Sequence, residues 1–341
     1  MAMEKLIYVD DDLPGITRRR AGKGWAYYDP SGVLIRDAGE KRRLNAIALP
    51  PAYSDAWFCP APNGHILATG YDDAGRKQYR YHPDFRAQRE SAKYDSCVAF
   101  AKRLPLMRKR VEEDLAARGV ARETALAAVV RLLDLSAIRI GNEQYAKSNE
   151  SYGATTLRAD HAEVGRRRLV LHFTAKGGKD RELEVEDADL AAAVRRMESL
   201  EEEGEDHLFR YEDEDGDVCP VTSADVNAYL REVMGEDFSA KHFRTFHASS
   251  LAFERLATGR GVVKIGEMLE HVADRLGNTP AIARKSYVHP AVIARVEGQE
   301  EWRKGLKLPR QTRWLTRAER GLIAFLEECG TARDYLAADA A

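Results

Sequence analysis

Hydrophobic and polar positions divide the chain into a first part with strand-like alternation and a longer second part with helical spacing. Before about residue 85, short runs of strand-forming residues are separated by turns rich in glycine, asparagine and aspartate, such as Pro62-Asn63-Gly64. Short strands joined by such turns are typical of an antiparallel sheet. The runs that predict strands are Ile16–Arg20, Trp25–Tyr28, Val33–Ile35, His65–Thr69 and Lys77–Tyr81.

Beyond this β-rich part, apolar residues recur at the spacing of an amphipathic helix. Several helix ends carry recognisable residues. Thr222 opens a capping box and Gly235 closes the same helix, while Ser239 is expected to cap the next one. Thr279-Pro280 predicts a further helix, because proline is favoured at the first helical position, and Pro290 is expected to end it.

A β-hairpin interrupts the helical part. Arg168–Ala175 and Asp180–Glu186 predict two strands, which are joined by Lys176-Gly177-Gly178-Lys179. We therefore predict an α+β fold. A small antiparallel β-rich domain is expected over residues 1–90, and a larger, mainly α-helical domain with a β-hairpin over residues 91–341. This boundary rests on the change of periodicity alone.

Composition is that of a water-soluble protein, with 44% hydrophobic and 32% charged residues in a chain of 341. No apolar run is long enough to predict a membrane span, and the first residues do not follow the pattern of a signal peptide. The four cysteines lie far apart and form no CxxC pair. We therefore expect neither a disulfide framework nor a zinc site, and a cytoplasmic location.

The net charge of −2 conceals a segregation of charge along the chain. Between Glu201 and Asp217 there are ten acidic residues and one arginine, whereas basic clusters such as Arg18-Arg19-Arg20 and Arg166-Arg167-Arg168 stand elsewhere. One face can thus be strongly positive although the sum is near zero. For any single basic cluster, a solvated surface is the simpler interpretation.

Common catalytic motifs are missing from the sequence. It has no GxxxxGK[ST] loop for ATP, no GxGxxG after a strand and no HExxH, so we expect no nucleotide cofactor and no catalytic metal. Scattered histidines such as His172 and His247 are better explained by packing. Each of the remaining candidates has an ordinary structural explanation when taken singly. They are four cationic or amide side chains and one tyrosine: Arg139, Lys176, Arg244, Asn278 and Tyr287.

The segments around these candidates follow one another in a recognisable order: Gly70–Tyr81, Arg139–Glu143, Phe173–Lys176, Phe243–Phe246 and Leu276–Pro290. In this order they resemble the type IB DNA topoisomerases, specifically their bacterial, poxvirus-like branch. The resemblance covers nearly the whole chain. Each motif alone is modestly specific, whereas the ordered set is strongly specific.

This resemblance implies an active site with two arginines, a hairpin lysine as general acid, a histidine or asparagine, and a nucleophilic tyrosine. Matched motif by motif, these roles fall on Arg139, Arg244, Lys176, Asn278 and Tyr287. Many family members carry histidine where this chain has asparagine. The hairpin motif usually has glycine before its lysine, where this chain has alanine. Lys179 therefore competes for the general-acid role, although spacing favours Lys176.

The implied activity is relaxation of supercoiled DNA by transesterification of one strand. Tyr287 would form a 3′-phosphotyrosyl intermediate, and fixed guanidinium donors would stabilise the extra charge of the transition state without a metal. The phosphotyrosyl bond keeps the energy of the cleaved linkage. Religation after strand rotation therefore needs no ATP, which agrees with the missing ATP-binding loop.

The resemblance also implies a monomer that clamps double-stranded DNA between its two domains, without an obligatory protein partner. Tyr79 and Tyr81 share one face of their strand because side chains alternate, although strand packing explains them equally well. The acidic segment Glu201–Asp217 is expected to face away from DNA, since it would repel phosphate. The side chains expected to contact DNA are Gln78, Tyr79, Tyr81, Gln144, Tyr145 and Lys147.

Two alternative interpretations remain at the level of sequence. A tyrosine recombinase or integrase shares the same set of catalytic residues, but usually has HxxR around the second arginine, where this chain has Lys241-His242-Phe243-Arg244. A catalytically inactive DNA-binding clamp is supported only by the asparagine at position 278.

Overall fold

The computed structural model describes residues 5–200, 207–235 and 237–339. The chain divides into two compact units, with the division between Ala92 and Lys93. The first unit contains an antiparallel five-stranded sheet, and the second is mainly helical with a β-hairpin. The predicted α+β class is therefore confirmed. Within the described residues, no helix is long and apolar enough to cross a membrane.

The elements of the first unit are β1 (Ile16–Ala21), β2 (Gly24–Tyr28), α1 (Ala38–Ala46), β3 (Ser54–Phe58), β4 (Ile66–Tyr71) and β5 (Lys77–Tyr81). The strands form one antiparallel sheet in the order β2-β1-β3-β4-β5, which packs against α1. Tyr27, Leu44 and Phe58 are fully buried in its core. Strands that are consecutive in sequence are neighbours in the sheet, with one exception. Strand β1 pairs with β3 as well as with β2, because β2 lies at the edge of the sheet.

One sequence prediction in this unit is wrong, and two elements were missed. Val33–Ile35 is not a strand: Leu34 forms a single bridge with Tyr28, and Val33 is exposed. The middle strand is instead Ser54–Phe58, which the turn pattern did not reveal. Helix α1 was also missed, although Asp37 caps it by accepting the backbone N–H of Glu40 at 2.7 Å.

The second unit contains most of α2 (Pro83–Ala116), which begins in the first unit, and all later elements. The strands are β6 (Ala162–Val164), β7 (Arg168–Ala175), β8 (Lys179–Glu186), β9 (Arg210–Glu212) and β10 (Val218–Pro220), which form the sheets β6-β7-β8 and β9-β10. The helices are α3 (Arg122–Ser136), α4 (Glu143–Asn149), α5 (Ala188–Glu198), α6 (Ser223–Met234), α7 (Lys241–Thr258), α8 (Ile265–Leu276), α9 (Pro280–Ser286), α10 (Pro290–Ala294), α11 (Gln299–Gly305), α12 (Arg317–Glu328) and α13 (Ala332–Asp339).

The observed helix ends confirm some of the predicted caps and correct others. Thr222 caps α6 in a capping box and Gly235 ends that helix in the left-handed conformation, as predicted. Ser239 is not the cap of α7, because its backbone N–H donates to the ring of His242 and the helix begins at Lys241. Pro290 does not end α9, which stops at Ser286, but occupies the first turn of α10.

Helix α3 lies at the centre of the second unit. Its residues are buried on almost every side, and its buried Asp134 is paired with Arg108 of α2. Ala137 ends it with a φ of +53°, so the chain turns sharply there. The turn directs the next residues toward the ends of α7 and α8, where the candidate catalytic side chains lie.

Candidate active site

Arg139 is held by backbone contacts just beyond α3. It lies three residues after the last helical residue, Ser136. Its carbonyl oxygen accepts the N–H of Ala154 at 2.8 Å. Gly153 allows this approach, since a Cβ there would lie 2.6 Å from the same oxygen. The side chain of Arg139 donates from Nη2 to Oδ1 of Asn278 at 2.9 Å.

Asn278 is positioned by the C-terminal end of α8. Gly277 takes a φ of +64°, and the backbone N–H of Asn278 returns to the carbonyl of Ala273 at 2.9 Å. This is the usual way in which a glycine ends a helix. The side-chain oxygen of Asn278 is occupied by Arg139, whereas its Nδ2 is buried and has no partner among the described residues. This N–H group is therefore available as a donor.

Arg244 joins the ends of two helices from the second turn of α7. Its side chain is 4% exposed and donates to the carbonyl of Ala137 and, at 3.1 Å, to that of Leu276. Both carbonyls lie at helix C-termini, where the macrodipole favours a cation. The planar fork of the guanidinium is thereby fixed in one orientation.

Tyr287 follows α9 and is half-buried, with its backbone held from three sides. Ser249 donates from Oγ to the carbonyl of Tyr287 at 3.3 Å. Lys93 and Tyr94 of α2 donate to the carbonyls of Ser286 and Lys285 at 2.9 and 3.2 Å. The phenol is consequently presented by a fixed backbone and not by a free loop.

Positive charge surrounds the Tyr287 phenol. The guanidinium carbon of Arg244 lies 4.7 Å from the centre of the Tyr287 ring. Burial alone would raise the pKa of Tyr287, but the charges of Arg244, Arg139 and Lys176 outweigh it and hold this pKa below its ordinary value. Burial also lowers the pKa of Arg244. A phenol in this setting ionises more readily than a free tyrosine.

The two hairpin lysines occupy different places. Lys176 is an exposed residue at the tip, next to two glycines with positive φ, and its Nζ lies 5.9 Å from the ring centre of Tyr145. Lys179 begins β8, pairs with Ala175 and lines a cavity of about 430 Å³ together with Asn278. Lys176 is among the cations that lower the pKa of Tyr287. Which lysine acts as general acid stays open.

Sequence reasoning missed Arg181, which the structure places among the cations of the candidate site, near Arg139. It donates to the carbonyls of Arg275 and Leu276 at 2.6 and 2.9 Å. Burial, with the nearby Arg139 and Arg275, lowers the pKa of Arg181. The alternation along β8 contained a signal, because Arg181 lies on the same inward-facing side of the strand as Leu183 and Val185. A cation on the apolar face of a strand requires a buried partner.

The first unit carries three of the side chains predicted to contact DNA. Tyr79 and Tyr81 are each 40% exposed and stack with ring centres 5.7 Å apart, which confirms their shared face. Gln78 donates to Asp72 at 3.0 Å. Lys77, on the tyrosine face, pairs with Asp11 at 2.8 Å, and this pairing raises the pKa of Lys77. A role in DNA contact stays a prediction.

The second unit carries the other three on α4, whose N-terminus is capped by Asn142. Gln144, Tyr145 and Lys147 are exposed there. Residues 201–206 of the acidic segment lie outside the described residues. Its later part contains the turn between β9 and β10, in which Asp213 accepts the backbone N–H groups of Asp215 and Asp217. Its orientation relative to DNA stays a prediction.

Clusters of side chains that could hold a metal ion are few in the described parts of the chain. One set of three acidic side chains, Asp10, Asp11 and Asp12, lies close enough to share an ion. Lys77 is already paired with two of them, Asp11 and Asp12, at 2.8 and 3.5 Å. This cluster belongs to the first unit, whereas the catalytic candidates belong to the second.

Comparison with known families places the chain in a defined class. Residues 82–306 match the family described as eukaryotic DNA topoisomerase I, catalytic core, and residues 24–72 match bacterial DNA topoisomerase IB, N-terminal domain. The first match alone covers more than half of the chain. The chain belongs to the type IB DNA topoisomerase family, whose members are isomerases.

Individual relatives agree with this assignment. A DNA topoisomerase 1B of Acanthamoeba polyphaga mimivirus is 30% identical over 293 residues, which cover 81% of this chain and 85% of the viral protein. A DNA topoisomerase 1 of Mycosarcoma maydis is 24% identical over 251 residues, covering 67% of this chain and 24% of the fungal protein.

The chain also resembles a solved structure of the site-specific recombinase XerH, in a post-cleavage complex with a palindromic difH substrate. The sequence identity is 14% and the TM-score 0.38, over 60% of this chain and 51% of the recombinase. The match therefore spans about half of that protein. The family matches, and not this weak likeness, favour the topoisomerase interpretation over a recombinase.

Proposed function

We propose that this protein relaxes supercoiled double-stranded DNA by cutting and rejoining one strand, without ATP and without a metal ion. Tyr287 is the nucleophile, and the DNA strand is held as a 3′-phosphotyrosyl intermediate while the free end rotates. The protein acts as a monomer that clamps the duplex. Membership of the type IB family supports the reaction class.

The observation that carries this proposal is the convergence of cations on Tyr287. Four segments distant in sequence supply Arg139, Lys176, Arg244 and Asn278, and three of these four side chains carry positive charge. Tyr287 also packs against the helical core, but packing alone does not explain the cations around its phenol. Ionisable groups whose pKa is shifted by a cluster of neighbouring charges are typical of functional sites.

The chemical step follows from these positions. The Tyr287 hydroxyl gives its proton to solvent water and attacks phosphorus in line, so that a P–O bond to tyrosine forms while the P–O5′ bond breaks. Arg139 and Arg244 donate to the non-bridging oxygens, where charge develops, and the unpartnered Nδ2 of Asn278 adds a neutral donor. Lys176 protonates the leaving 5′ oxygen. Religation is the reverse of these transfers.

Energy conservation supports independence from ATP. The phosphotyrosyl ester replaces one phosphodiester linkage by another of similar kind, so resealing needs no external energy source. The fixed guanidinium groups supply the positive charge that a metal ion supplies in other phosphoryl-transfer sites. Arg244 suits this task because its contacts with Ala137 and Leu276 already fix its orientation.

The deciding experiment is relaxation of a supercoiled plasmid in EDTA without ATP, with wild type and Tyr287→Phe side by side. We expect relaxation by the wild type only, together with a protein–DNA adduct that the variant does not form. Equal relaxation by both proteins would overturn the assignment of Tyr287. Binding without relaxation or adduct by the wild type would indicate an inactive clamp.

A further inference from the structure

Arg181 connects the hairpin to the C-terminal end of α8. It lies on β8, opposite Phe173 of β7, in the strand that follows the tip with Lys176. Its two terminal nitrogens donate to the carbonyls of Leu276 and Arg275 at 2.9 and 2.6 Å. These carbonyls are the last of α8, where a helix leaves acceptors unsatisfied and where its dipole favours a cation.

The carbonyl of Leu276 is shared by two guanidinium groups. Arg181 approaches it with Nη1 at 2.9 Å and Arg244 with Nη2 at 3.1 Å. The next two residues are Gly277 and Asn278, and the latter accepts a hydrogen bond from Arg139. One short turn of backbone therefore fixes three arginines that come from β8, from α7 and from the segment after α3.

Gly277 leaves the space that the guanidinium of Arg181 occupies. A Cβ on Gly277 would lie 2.3 Å from Nη1 of Arg181, and the φ of +64° disfavours any other residue there as well. The side chain of Arg181 thus packs directly against the backbone that carries Asn278. Among the described residues, no comparable anchor holds Lys176, which is exposed at the tip of the hairpin.

We propose that Arg181 is a positioning residue that docks the hairpin on the end of α8 and thereby delivers Lys176 to the leaving 5′ oxygen. This inference rests on the proposed function and adds a residue to it. A strand is stiff along its length, so fixing Arg181 also fixes the tip of the same hairpin, which lies a few residues before it. Misplacement of a catalytic group by about 1 Å costs on the order of a hundredfold in rate.

The test compares two suicide substrates that differ only in the leaving atom. In one the scissile phosphate is bridged by the normal 5′ oxygen, and in the other by sulfur. A thiol, with a pKa of about 8.5, leaves as the thiolate and needs no general acid. Loss of Lys176 should therefore slow cleavage of the first substrate and spare the second.

We expect Arg181→Met to slow cleavage of the oxygen-bridged substrate by about ten- to a hundredfold, and to cleave the sulfur-bridged substrate at the wild-type rate. Arg181→Lys keeps the charge but not the planar fork of donors. It should slow cleavage of the oxygen-bridged substrate less than Arg181→Met does, and it should cleave the sulfur-bridged substrate at the wild-type rate. Should Arg181→Met fail to fold, this lysine variant carries the test. Arg168→Met is the matched control, because Arg168 starts the same hairpin and its side chain forms an exposed pair with Glu184.

A double variant separates this role from a general loss of stability. If Arg181 acts through Lys176, then Lys176→Ala with Arg181→Met cleaves no more slowly than Lys176→Ala alone. Three outcomes would each overturn the inference. Arg181→Met could slow cleavage of both substrates equally, it could cleave both at the wild-type rate, or its loss of rate could add to that of Lys176→Ala in the double variant. The proposed function itself would fail differently, since wild type would then form no adduct with either substrate.

Discussion

The guanidinium of Arg244 lies over the ring of Tyr287, with its central carbon 4.7 Å from the ring centre. This contact joins the buried start of α7 to the residue that follows α9. It places a permanent cation next to a phenol whose pKa is lowered despite burial. The same guanidinium is anchored to Ala137 and Leu276, so its position is set before any phosphate arrives.

Replacement of Arg244 by lysine tests the need for the planar fork. Lysine keeps the charge but cannot hold both carbonyls and also donate to a phosphate oxygen. We expect Arg244→Lys to slow single-turnover cleavage by about a hundred- to a thousandfold, with DNA affinity nearly unchanged at the same salt concentration. A variant that lost affinity and kept its cleavage rate would show that Arg244 holds DNA and does not act on the transition state.

Asn278 offers a second test, in which one substitution keeps a hydrogen-bond donor at this position and the other removes it. Asn278→His retains a donor toward the phosphate, and we expect cleavage within about tenfold of wild type. Asn278→Asp retains the acceptor for Arg139 but turns the free donor into a negative charge, so cleavage should fall by about a hundredfold or more. Single-turnover cleavage of a suicide substrate measures both. Equal rates for the two variants would exclude donation by residue 278.

The hairpin and the helix caps show what the sequence could predict. The strands β7 and β8 were predicted within one residue, because alternating Leu169, Leu171 and Phe173 face the core and two glycines form the turn. Thr222 and Gly235 were placed correctly for the same local reason. The information in each case lies within a few residues of the element, so tertiary contacts did not have to be known.

The parts that sequence reasoning missed depend on distant contacts. Strand β3 pairs with both β1 and β4, and nothing in its own residues indicates that central place. Arg181 acquires its position only from the end of α8, almost a hundred residues later. The convergence of Arg139, Arg244 and Tyr287 was expected from the family resemblance and not from periodicity, since helix spacing does not fix which helix ends meet.

A buried ion-pair network predicts a large effect on stability. Arg108 of α2 donates to Asp134 at 2.7 Å and to Glu319 at 2.6 Å, and the two carboxylates are almost fully buried. Asp134 also binds His247 at 3.1 Å, three residues after Arg244. Arg108→Met leaves two carboxylates without their main cation, so we expect the free energy of unfolding to fall by about 3–5 kcal/mol in urea denaturation.

The matched control for this network is Arg313→Met. Arg313 pairs with Glu112 at 2.5 Å on the surface, with side chains 70% and 42% exposed. Water screens such a pair, and we expect its loss to change the free energy of unfolding by about 1 kcal/mol or less. Similar losses for both variants would contradict a special role of the buried network.

The imidazole of His289 makes stability depend on pH in a defined window. Burial lowers the pKa of His289 to about 4, and its Nδ1 accepts the N–H of Ala291 at the start of α10. The unfolded chain, with a histidine pKa of about 6.5, binds the proton first as pH falls. Stability from this group is therefore complete above about pH 6.5 and is lost toward pH 4, by on the order of 3 kcal/mol.

His289→Asn keeps a cap acceptor without titrating. We expect urea denaturation at several pH values to give the variant a flatter stability profile across this window. Parallel profiles for the two proteins would show that His289 does not carry the pH dependence.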